Sequence, residues 1–468
     1  MRDLTRGPIL KQIIWFTIPL LIGNIFQQMY TVIDTLIVGR TISVQALAAV
    51  GSTGSLFMLI IGFAQSTTAG LAIVTAQRHG SRDYKGVKRS FATSILVSLV
   101  ISAVLTALSM TFTMPLLRLM QTPENIIHDA ASFISVLFGG IVIAVFYNLF
   151  ANMLRALGDS RTPLIFLILA CIVNIGLDFW FILGFHMGVA GAGYASLTAQ
   201  GLSAVLSGWY IWHRVPELVL RPKDFRGLGK EIIPHIRIGI PMGFQASIIS
   251  IGALILQIML NTLGSDAVAA YTAAGRIDGL ATMPAMSFGI TMATFAAQNL
   301  GARNYDRIRT GVKKALVASC SVSIILGAGI ILLGKPLVNM FVGSHQPLVT
   351  NMAQIYFHFN SSMYFLLAIL FIVRYTLQGL GQSMVPTIAG VMELLMRTFA
   401  GLILVHYFGF AGASAANPLA WLGSLTVLIS SYVRTMRHLK NMAVNQPLAE
   451  KKAQHSEPLE PALEQHHH

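Results

Sequence analysis

Apolar runs of about 20 or more residues recur along almost the whole chain, and nothing else in the sequence restricts the fold so strongly. A helix of about that length crosses the roughly 30 Å hydrocarbon core of a bilayer and satisfies its own backbone hydrogen bonds there. The composition agrees, since 54% of the 468 residues are hydrophobic and 11% are charged, against roughly a quarter charged in soluble domains. The sequence therefore predicts an all-α polytopic membrane protein.

The apolar pattern predicts about twelve transmembrane helices. Their ranges are near 13–38, 45–77, 87–112, 127–154, 160–184, 190–212, 232–262, 266–298, 310–333, 350–378, 384–408 and 411–437. Lys and Arg concentrate after even-numbered helices, whereas the segments after odd-numbered helices hold little beyond Arg40, Arg118 and Lys335. Because basic loops stay on the cytoplasmic side, we expect a multi-pass protein of the cell membrane with both termini in the cytoplasm.

Four motifs of the first half recur in the second half at a nearly constant shift of 221 to 223 residues. They are FTIPL around Pro19 and IGIPM around Pro241, AQRHGSRDY from Ala76 and AQNLGARNY from Ala297, LRALGDSRTP from Leu154 and LQGLGQSMVP from Leu377, and GVAGA from Gly188 and GFAGA from Gly409. Six helices per copy give both copies the same orientation. We therefore predict two pseudo-symmetric six-helix bundles, an N-lobe (1–218) and a C-lobe (219–440), followed by a polar tail with a tag remnant (441–468).

Parallel repeats of this kind leave a cavity between them, which suits alternating access by rocking of one half against the other. A channel or a structural scaffold is the alternative interpretation. Against it, the sequence has no ring of like charges and no filter-like glycine run. The pattern favours a transporter.

The sequence gives less support to other functional classes, namely nucleic-acid-binding proteins and enzymes. The net charge of +14 is spread over short segments between apolar runs, so the positive-inside bias explains it better than nucleic acid does. Cys171 and Cys320 fall within apolar runs and indicate a structural role. The sequence shows no nucleophile–base or metal-ligand constellation that would indicate an enzyme, and we interpret His186, His358 and His406 as packing or cavity polar groups.

Carboxylates at membrane depth are costly and therefore mark functional candidates. Asp34 follows Gln27 and Tyr30 at seven and four residues, so the three side chains share one helical face. Asn174 and Asp178 are likewise four residues apart. The alternatives are that Asp34 reaches interfacial water and that Asn174 makes a helix-packing hydrogen bond.

The acids of the first half have no counterparts in the second half. Applying the repeat shift of 222 to Asp34, Asn174 and Asp178 leads to apolar residues, namely Leu256, Met396 and Ala400. A residue needed only for folding the unit would be expected in both copies. The asymmetry therefore favours a task assigned to the N-lobe.

The second half has charges of its own. Arg276 and Asp278 lie in one predicted helix, and Glu393 and Arg397 lie in another at a spacing that permits a salt bridge. Structural pairing and contact with substrate or a gate remain equally open for these four. Arg374 is predicted to lie at the cytoplasmic end of its helix and to extend toward the interface.

The sequence resembles the multidrug and toxic compound extrusion (MATE) family, in its DinF-like and MepA-like branch. The motifs that carry the resemblance are PLLIGNIFQQMYTVIDTLIVGR, AQRHGSRDY with its echo AQNLGARNY, LRALGDSRTP and GVAGAGYASLTAQ, in that order over nearly the whole chain. The resemblance implies a MATE/MOP-type fold and antiport of organic, mostly cationic drugs or toxic compounds against H⁺ or Na⁺. It implies no other cofactor, and we expect a monomer in contact with membrane lipids and not with nucleic acid.

The resemblance also implies an N-lobe cation site formed by Asp34, Asn174, Asp178 and Ser196. Gln27 and Tyr30 match residues that line the same lobe, and we expect them, with Arg276, Asp278 and Glu393, at the substrate cavity. The NorM-like branch has acids in a C-lobe ion site, whereas this chain offers only amides at those helices, namely Gln245, Gln257 and Asn360. A C-lobe sodium site is therefore not expected.

Two carboxylates facing each other in a low-dielectric lobe cannot both stay ionised without a counterion. We hypothesise that loading of Asp34 and Asp178 with a proton or sodium ion bends the first helix at its kink, Pro19, and releases the cargo.

The alternative is a flippase for lipid-linked saccharides. The number of spans and the few cavity cations argue against a flippase, but several inward-facing arginines would favour it. The coupling ion, the natural substrates and the open face stay undetermined.

Overall fold

The computed structural model describes residues 3–343 and 345–455, and this part of the chain is helical almost throughout, without a β-strand. The α-helices are α1 (Ile9–Thr41), α2 (Val44–Gly80), α3 (Tyr84–Leu119), α4 (Ile127–Gly139), α5 (Ile141–Ala156), α6 (Arg161–Phe179), α7 (Val189–Arg214), α8 (Gly229–Asn261), α9 (Ser265–Gly301), α10 (Tyr305–Val342), α11 (Pro347–Asn360), α12 (Tyr364–Gly379), α13 (Met384–Phe399), α14 (Val405–Phe408), α15 (Phe410–Ser414) and α16 (Ala416–His455).

The helices account for every predicted span. Ten stretches of the described chain are long and apolar enough to cross a membrane, and α4 and α5, joined by a 50° bend, form an eleventh. The remaining predicted span is α7, whose apolar residues are diluted by glycine, serine and glutamine. The polytopic all-α prediction is confirmed. Of the predicted tail, residues 441–455 continue α16, and 456–468 lie outside the described residues.

The backbone repeats together with the sequence. Arg82 and Arg303, in the turns after α2 and α9, have left-handed φ values of 59° and 58°. Glycines with positive φ recur in the same way, and so do two π-helical turns. The pairs are Gly158 and Gly381, Gly188 and Gly409, and Trp180–Gly184 and Ala400–Leu404. Three of the four motifs therefore encode local conformations that both halves share.

The two halves, α1–α7 (the N-lobe) and α8–α16 (the C-lobe), meet along two helix pairs related by the repeat. In the α2–α8 pair, a Cβ added to Gly70 would lie 2.6 Å from the Cα of Gly239, so the backbones nearly touch. In the α1–α9 pair, the equivalent residues are Thr17 and Thr291, whose hydroxyl groups hydrogen-bond at 2.8 Å. Close backbone approach through small residues is the usual way that helices associate within membranes.

A reciprocal pair of hydrogen bonds joins the lobes at the ends of α2 and α9. The Gln77 side chain donates to the carbonyl of Gly379 at 2.9 Å, and the Gln298 side chain donates to the carbonyl of Ala156 at 2.7 Å. Gln77 and Gln298 occupy the same motif position in the two copies, as do Ala156 and Gly379. We call these four residues the glutamine clasp.

Two glycines let the clasp form. A Cβ on Gly80 would lie 1.9 Å from the carbonyl oxygen of Gln298, and a Cβ on Gly301 would lie 1.8 Å from that of Gln77. Real Cβ atoms do not approach backbone oxygen so closely. Both copies of the motif therefore require glycine at this position.

The N-terminal segment adds a further link between the lobes. Leu4 is fully buried and its N–H donates to the side-chain oxygen of Gln298 at 3.3 Å. The Leu4 carbonyl accepts from the side chains of Asn299 and Arg307 in the C-lobe. The first residues of the N-lobe are thus bound across the clasp.

Charged residues link the lobes at the same end of the bundle. Arg78 in the last turn of α2 and Arg89 of α3 both pair with Glu231 of α8, and Ser90 hydrogen-bonds His235 at 2.7 Å. We call this end, which carries the basic loops and the N-terminus, the basic end. Among the described residues, every inter-lobe hydrogen bond lies between the basic end and the middle of the bundle, where Asn24 bonds Ser287 and Ser247 bonds Leu59.

We expect Gln298→Ala to lower thermal stability, because it leaves the buried Ala156 carbonyl and the Leu4 N–H without their partners. Each such group costs about 1–3 kcal/mol. The midpoint of thermal unfolding of the purified protein in detergent measures the effect. Gln346→Ala, at an exposed glutamine, is the matched control, and an equal midpoint for both variants would show that the clasp contributes no stability.

Candidate functional site

A polar cluster lies inside the N-lobe, where α1, α6 and α7 meet. Asn174 and Asp178 of α6 are 0% exposed, and Asp34 of α1 is 8% exposed. The Tyr30 hydroxyl donates to the Ser196 hydroxyl at 2.7 Å, and the Asn174 side-chain amide donates to the same oxygen at 3.4 Å. The structure thus brings together all four residues expected at the cation site, with Tyr30 as a fifth.

The two carboxyl groups of this cluster lie within hydrogen-bonding reach of each other. Within the described chain no donor reaches Asp34 Oδ1, either carboxyl oxygen of Asp178, or the side-chain oxygen of Asn174. Buried acceptors without donors are costly, and two ionised carboxylates in this position repel each other. Because the cluster has acceptor oxygens and no basic residue, it is suited to hold a proton or a small hard cation.

A buried ion triad lies in the C-lobe. Glu393 of α13 pairs with Arg374 of α12 and, at 3.4 Å, with Arg397 one turn further along α13. The salt bridge that the spacing of Glu393 and Arg397 permits is therefore present. The prediction that Arg374 extends to the interface is wrong, because its side chain is buried against Glu393 and donates to Ser424 at 3.0 Å. One carboxylate shared by two guanidinium groups leaves the triad with a net positive charge.

The other C-lobe candidates are separate from the triad. Asp278 accepts a hydrogen bond of 2.6 Å from the Tyr364 hydroxyl. Arg276 is exposed, and its spacing of two residues from Asp278 puts the two on different helical faces. The amides at the C-lobe ion-site positions are engaged with protein: Gln245 accepts from Gln378, Gln257 donates to Asn261, and Asn360 donates to Ser414.

A central cavity of about 290 Å³ lies between the lobes, and Ala156 of the glutamine clasp is part of its lining. Its walls come from both lobes and include Gln27, Gln65, Tyr147, Gln245 and Tyr375. Of the five residues expected there, Gln27 lines this cavity. Its lining does not include the other four, which are Tyr30, Arg276, Asp278 and Glu393. Pro19, the expected kink, lies within α1 and also lines the cavity.

The histidines expected in packing or cavity positions are elsewhere. His186, His358 and His406 are all exposed and do not line the cavity, so that interpretation is wrong. The buried histidine is His235, which was not singled out; its ring bonds Ser90 and the Glu231 carbonyl. Among the described residues no group of three or more His, Cys, Asp or Glu could hold a metal ion.

Sequence reasoning also missed a residue that lines the cavity and two residues of the clasp. Arg155 lines the cavity, and Gln77 and Gln298 form the clasp. All three lie in motifs that repeat. The repetition of the glutamine in AQRHG and AQNLG could have indicated a shared task. Arg155, in contrast, aligns with Gln378 of the second copy, so the repeat does not mark it.

Comparison with known proteins gives consistent matches. The family model described as MatE matches residues 19–180 and 241–403, one stretch in each lobe. The chain is 28% identical over 435 residues to the probable multidrug resistance protein YoeA of Bacillus subtilis, covering 89% of this chain and 92% of the relative. It is 25% identical over 426 residues to the FAD transporter of Shewanella oneidensis, covering 89% and 92%.

A solved structure shares the fold. The chain superposes with a TM-score of 0.85 on a transporter of the MOP superfamily from Pyrococcus furiosus, at 24% identity, with 94% of this chain and 98% of the other covered. The all-helical arrangement described above is therefore one already seen in transporters.

We expect Glu393→Gln to be strongly destabilising, because it leaves two buried guanidinium groups without a counter-charge. Removing one partner of a buried pair costs about 3–5 kcal/mol. Arg397→Gln is the matched variant, since it keeps the Arg374–Glu393 pair and should be milder. Thermal unfolding of both purified variants is the measurement, and a smaller loss for Glu393→Gln than for Arg397→Gln would contradict the account of the triad.

Proposed function

This chain belongs to the MatE family of membrane transporters, and from that premise we propose that it exports small organic compounds from the cell by ion-coupled antiport through alternating access. It is a multi-pass membrane transporter related to multidrug resistance proteins. Because the central cavity is formed within a single chain, a monomer suffices for the task. The basic loops favour a cytoplasmic location for the basic end and for both termini.

The carboxyl pair of the N-lobe is the observation that carries the proposed coupling. Asp34 and Asp178 are buried within reach of each other, and no basic side chain of the described residues pairs with them. Either a proton or a sodium ion would relieve their repulsion. The pair lies on α1 and α6, and α1 also lines the cavity at Pro19, Asn24 and Gln27. Loading of the pair can therefore move a helix that the cargo touches.

Alternating access requires one end of the cavity to close while the other opens. The glutamine clasp, the N-terminal segment and the Arg78–Glu231 pair hold the lobes together at the basic end. This arrangement supports an outward-facing state, with the cytoplasmic entrance closed. Uptake of cargo from the cytoplasm would need these contacts to separate.

Pro19 gives α1 a place to bend during the cycle. A proline within a helix removes one backbone hydrogen bond and clashes with the preceding turn, which favours a kink. Because Pro19 lies in the wall of the cavity, between the basic end and the coupling pair, a change of bend there would alter the cavity as the pair is loaded.

The proposal is tested by transport in proteoliposomes that contain the full chain. A panel of anionic, neutral and cationic dyes is offered while pH and sodium gradients are imposed separately. We expect one gradient to drive dye uptake, and Asp34→Asn and Asp178→Asn to abolish that uptake while leaving passive binding of dye.

Asp129→Asn, at an exposed aspartate of α4, is the matched control and should transport as the unsubstituted chain does. If both Asn variants of the buried pair still accumulate dye against a gradient, the coupling assignment fails. If neither gradient drives any dye in the unsubstituted chain, the antiport proposal itself fails.

A further inference from the structure

The formal charges on the walls of the central cavity all have one sign. Of the described residues that line it, two carry a full charge, Arg155 of α5 and Arg374 of α12, and neither aspartate nor glutamate is among them. The coupling pair in the N-lobe is not part of the lining. A ligand in this cavity therefore meets positive charge within walls of low dielectric, where electrostatic interactions are strong.

Among the residues that the structure describes, no acid forms an ion pair with Arg155. Its Nη1 donates to the side-chain oxygen of Asn152 at 3.1 Å, and its buried Nε has no hydrogen-bond partner in the described chain. The nearest acid in sequence, Asp159, is engaged elsewhere, since it accepts from the backbone of Arg161 and from the backbone and hydroxyl of Thr162. An arginine held inside a membrane protein without a counter-charge is a functional candidate by default.

Arg374 contributes in the same direction. Its partner Glu393 is shared with Arg397, so the group of three is positive overall. Arg374 Nε is buried without a partner in the part of the chain that the structure describes. The positive charge next to the cavity is therefore only partly compensated on the C-lobe side and not compensated on the N-lobe side.

Comparison of the two copies indicates that the fold does not need the charge of Arg155. The equivalent residue of the second copy is Gln378, which also lines the cavity and donates to Gln245 at 2.7 Å. The same position next to the clasp is thus occupied by a neutral amide in one lobe and a guanidinium in the other. The fold therefore does not depend on a positive charge at this position.

The remaining lining is suited to an organic ligand. Amide side chains such as Asn148 and Gln65 provide hydrogen-bond donors, while Tyr147, Tyr375 and Met242 provide aromatic and apolar surface. A volume of about 290 Å³ limits the ligand to a small compound or to one group of a larger one. Guanidinium groups recognise carboxylate and phosphate in particular, because their donors match two oxygens at once.

We propose that the central cavity binds organic anions and that Arg155 contacts their phosphate or carboxylate group. This inference rests on the proposed export function and names the class of its cargo. It departs from the mostly cationic cargo that the family resemblance implies. The anionic group could belong to a free metabolite or to a lipid-linked pyrophosphate, which present the same oxygens to the guanidinium.

The test measures ligand binding to the purified full chain in lipid nanodiscs, with fluorescence as the readout. The probes share one ring system and are compared in a buffer below the pKa of the coumarin phenol, where 4-methylumbelliferyl phosphate and 7-hydroxycoumarin-4-acetate are anionic and 4-methylumbelliferone is uncharged. A methylpyridinium dye of similar size is the cationic probe. We expect the anions to bind about ten-fold or more tightly than the uncharged ring, the gain typical of one hydrogen bond to a charged group.

Arg155→Gln copies the residue that the second lobe already has at this position, so the fold should accept it. We expect it to weaken binding of both anions about ten-fold or more and to leave 4-methylumbelliferone unchanged, with Arg155→Lys in between. Farnesyl pyrophosphate separates the two sources. If farnesyl pyrophosphate displaces 4-methylumbelliferone and the coumarin anions do not, the cargo is lipid-linked, whereas binding of the coumarin anions shows that a free anion suffices.

Two results would overturn the inference: tighter binding of the cationic dye than of either anion, or unchanged anion binding in a folded Arg155→Gln protein. Either could occur while ion-driven transport persists, so the proposed function would survive. Conversely, Arg155-dependent anion binding without any gradient-driven uptake would overturn the proposed function alone.

Discussion

The structure depends on one constraint, which is that a polar group inside the bilayer must find its partner within the protein. The consequence is visible both between the lobes and within them. Gln77 and Gln298 donate to carbonyl groups of the opposite lobe, and Glu393 pairs with Arg374 inside the C-lobe. Because an unpaired polar group is costly there, each of these contacts restricts how the apolar surfaces around it can dock.

The same constraint makes the exceptions informative. The oxygens of Asp34 and Asp178 and the guanidinium of Arg155 are polar groups that lack complete partners in the described chain. They lie in different places, the acids inside the N-lobe and the arginine at the central cavity. The proposed antiport needs two ligands, an ion and a cargo. The acids provide negative charge for the ion, and the arginine provides positive charge for the cargo.

Much of the fold could be predicted from the sequence because it depends on local patterns. Apolar runs located the spans, and the repeated motifs predicted two related halves, which share local conformations such as the positive φ of Gly188 and Gly409. The N-lobe cluster was also accessible, since a spacing of four residues placed Asn174 and Asp178 on one face. Residue spacing could not predict the tertiary partners. The sequence alone suggests an interfacial position for Arg374, and only the fold shows that α13 places Glu393 beside it. Likewise, nothing in the sequence distinguishes Arg155 from the other basic residues, and only the structure shows that it lines the cavity.

The glutamine clasp has a consequence for how such a chain can arise. A contact in which both partners contribute the same residues is called isologous, and it is the type of contact found in two-fold symmetric dimers. One half-length copy carries both parts, the glutamine as donor and the carbonyl at the position of Ala156 or Gly379 as acceptor. It could therefore close on a second copy of itself. Duplication and fusion of an ancestral half would preserve that closure from the outset and leave positions such as 34, 155 and 178 free to diverge.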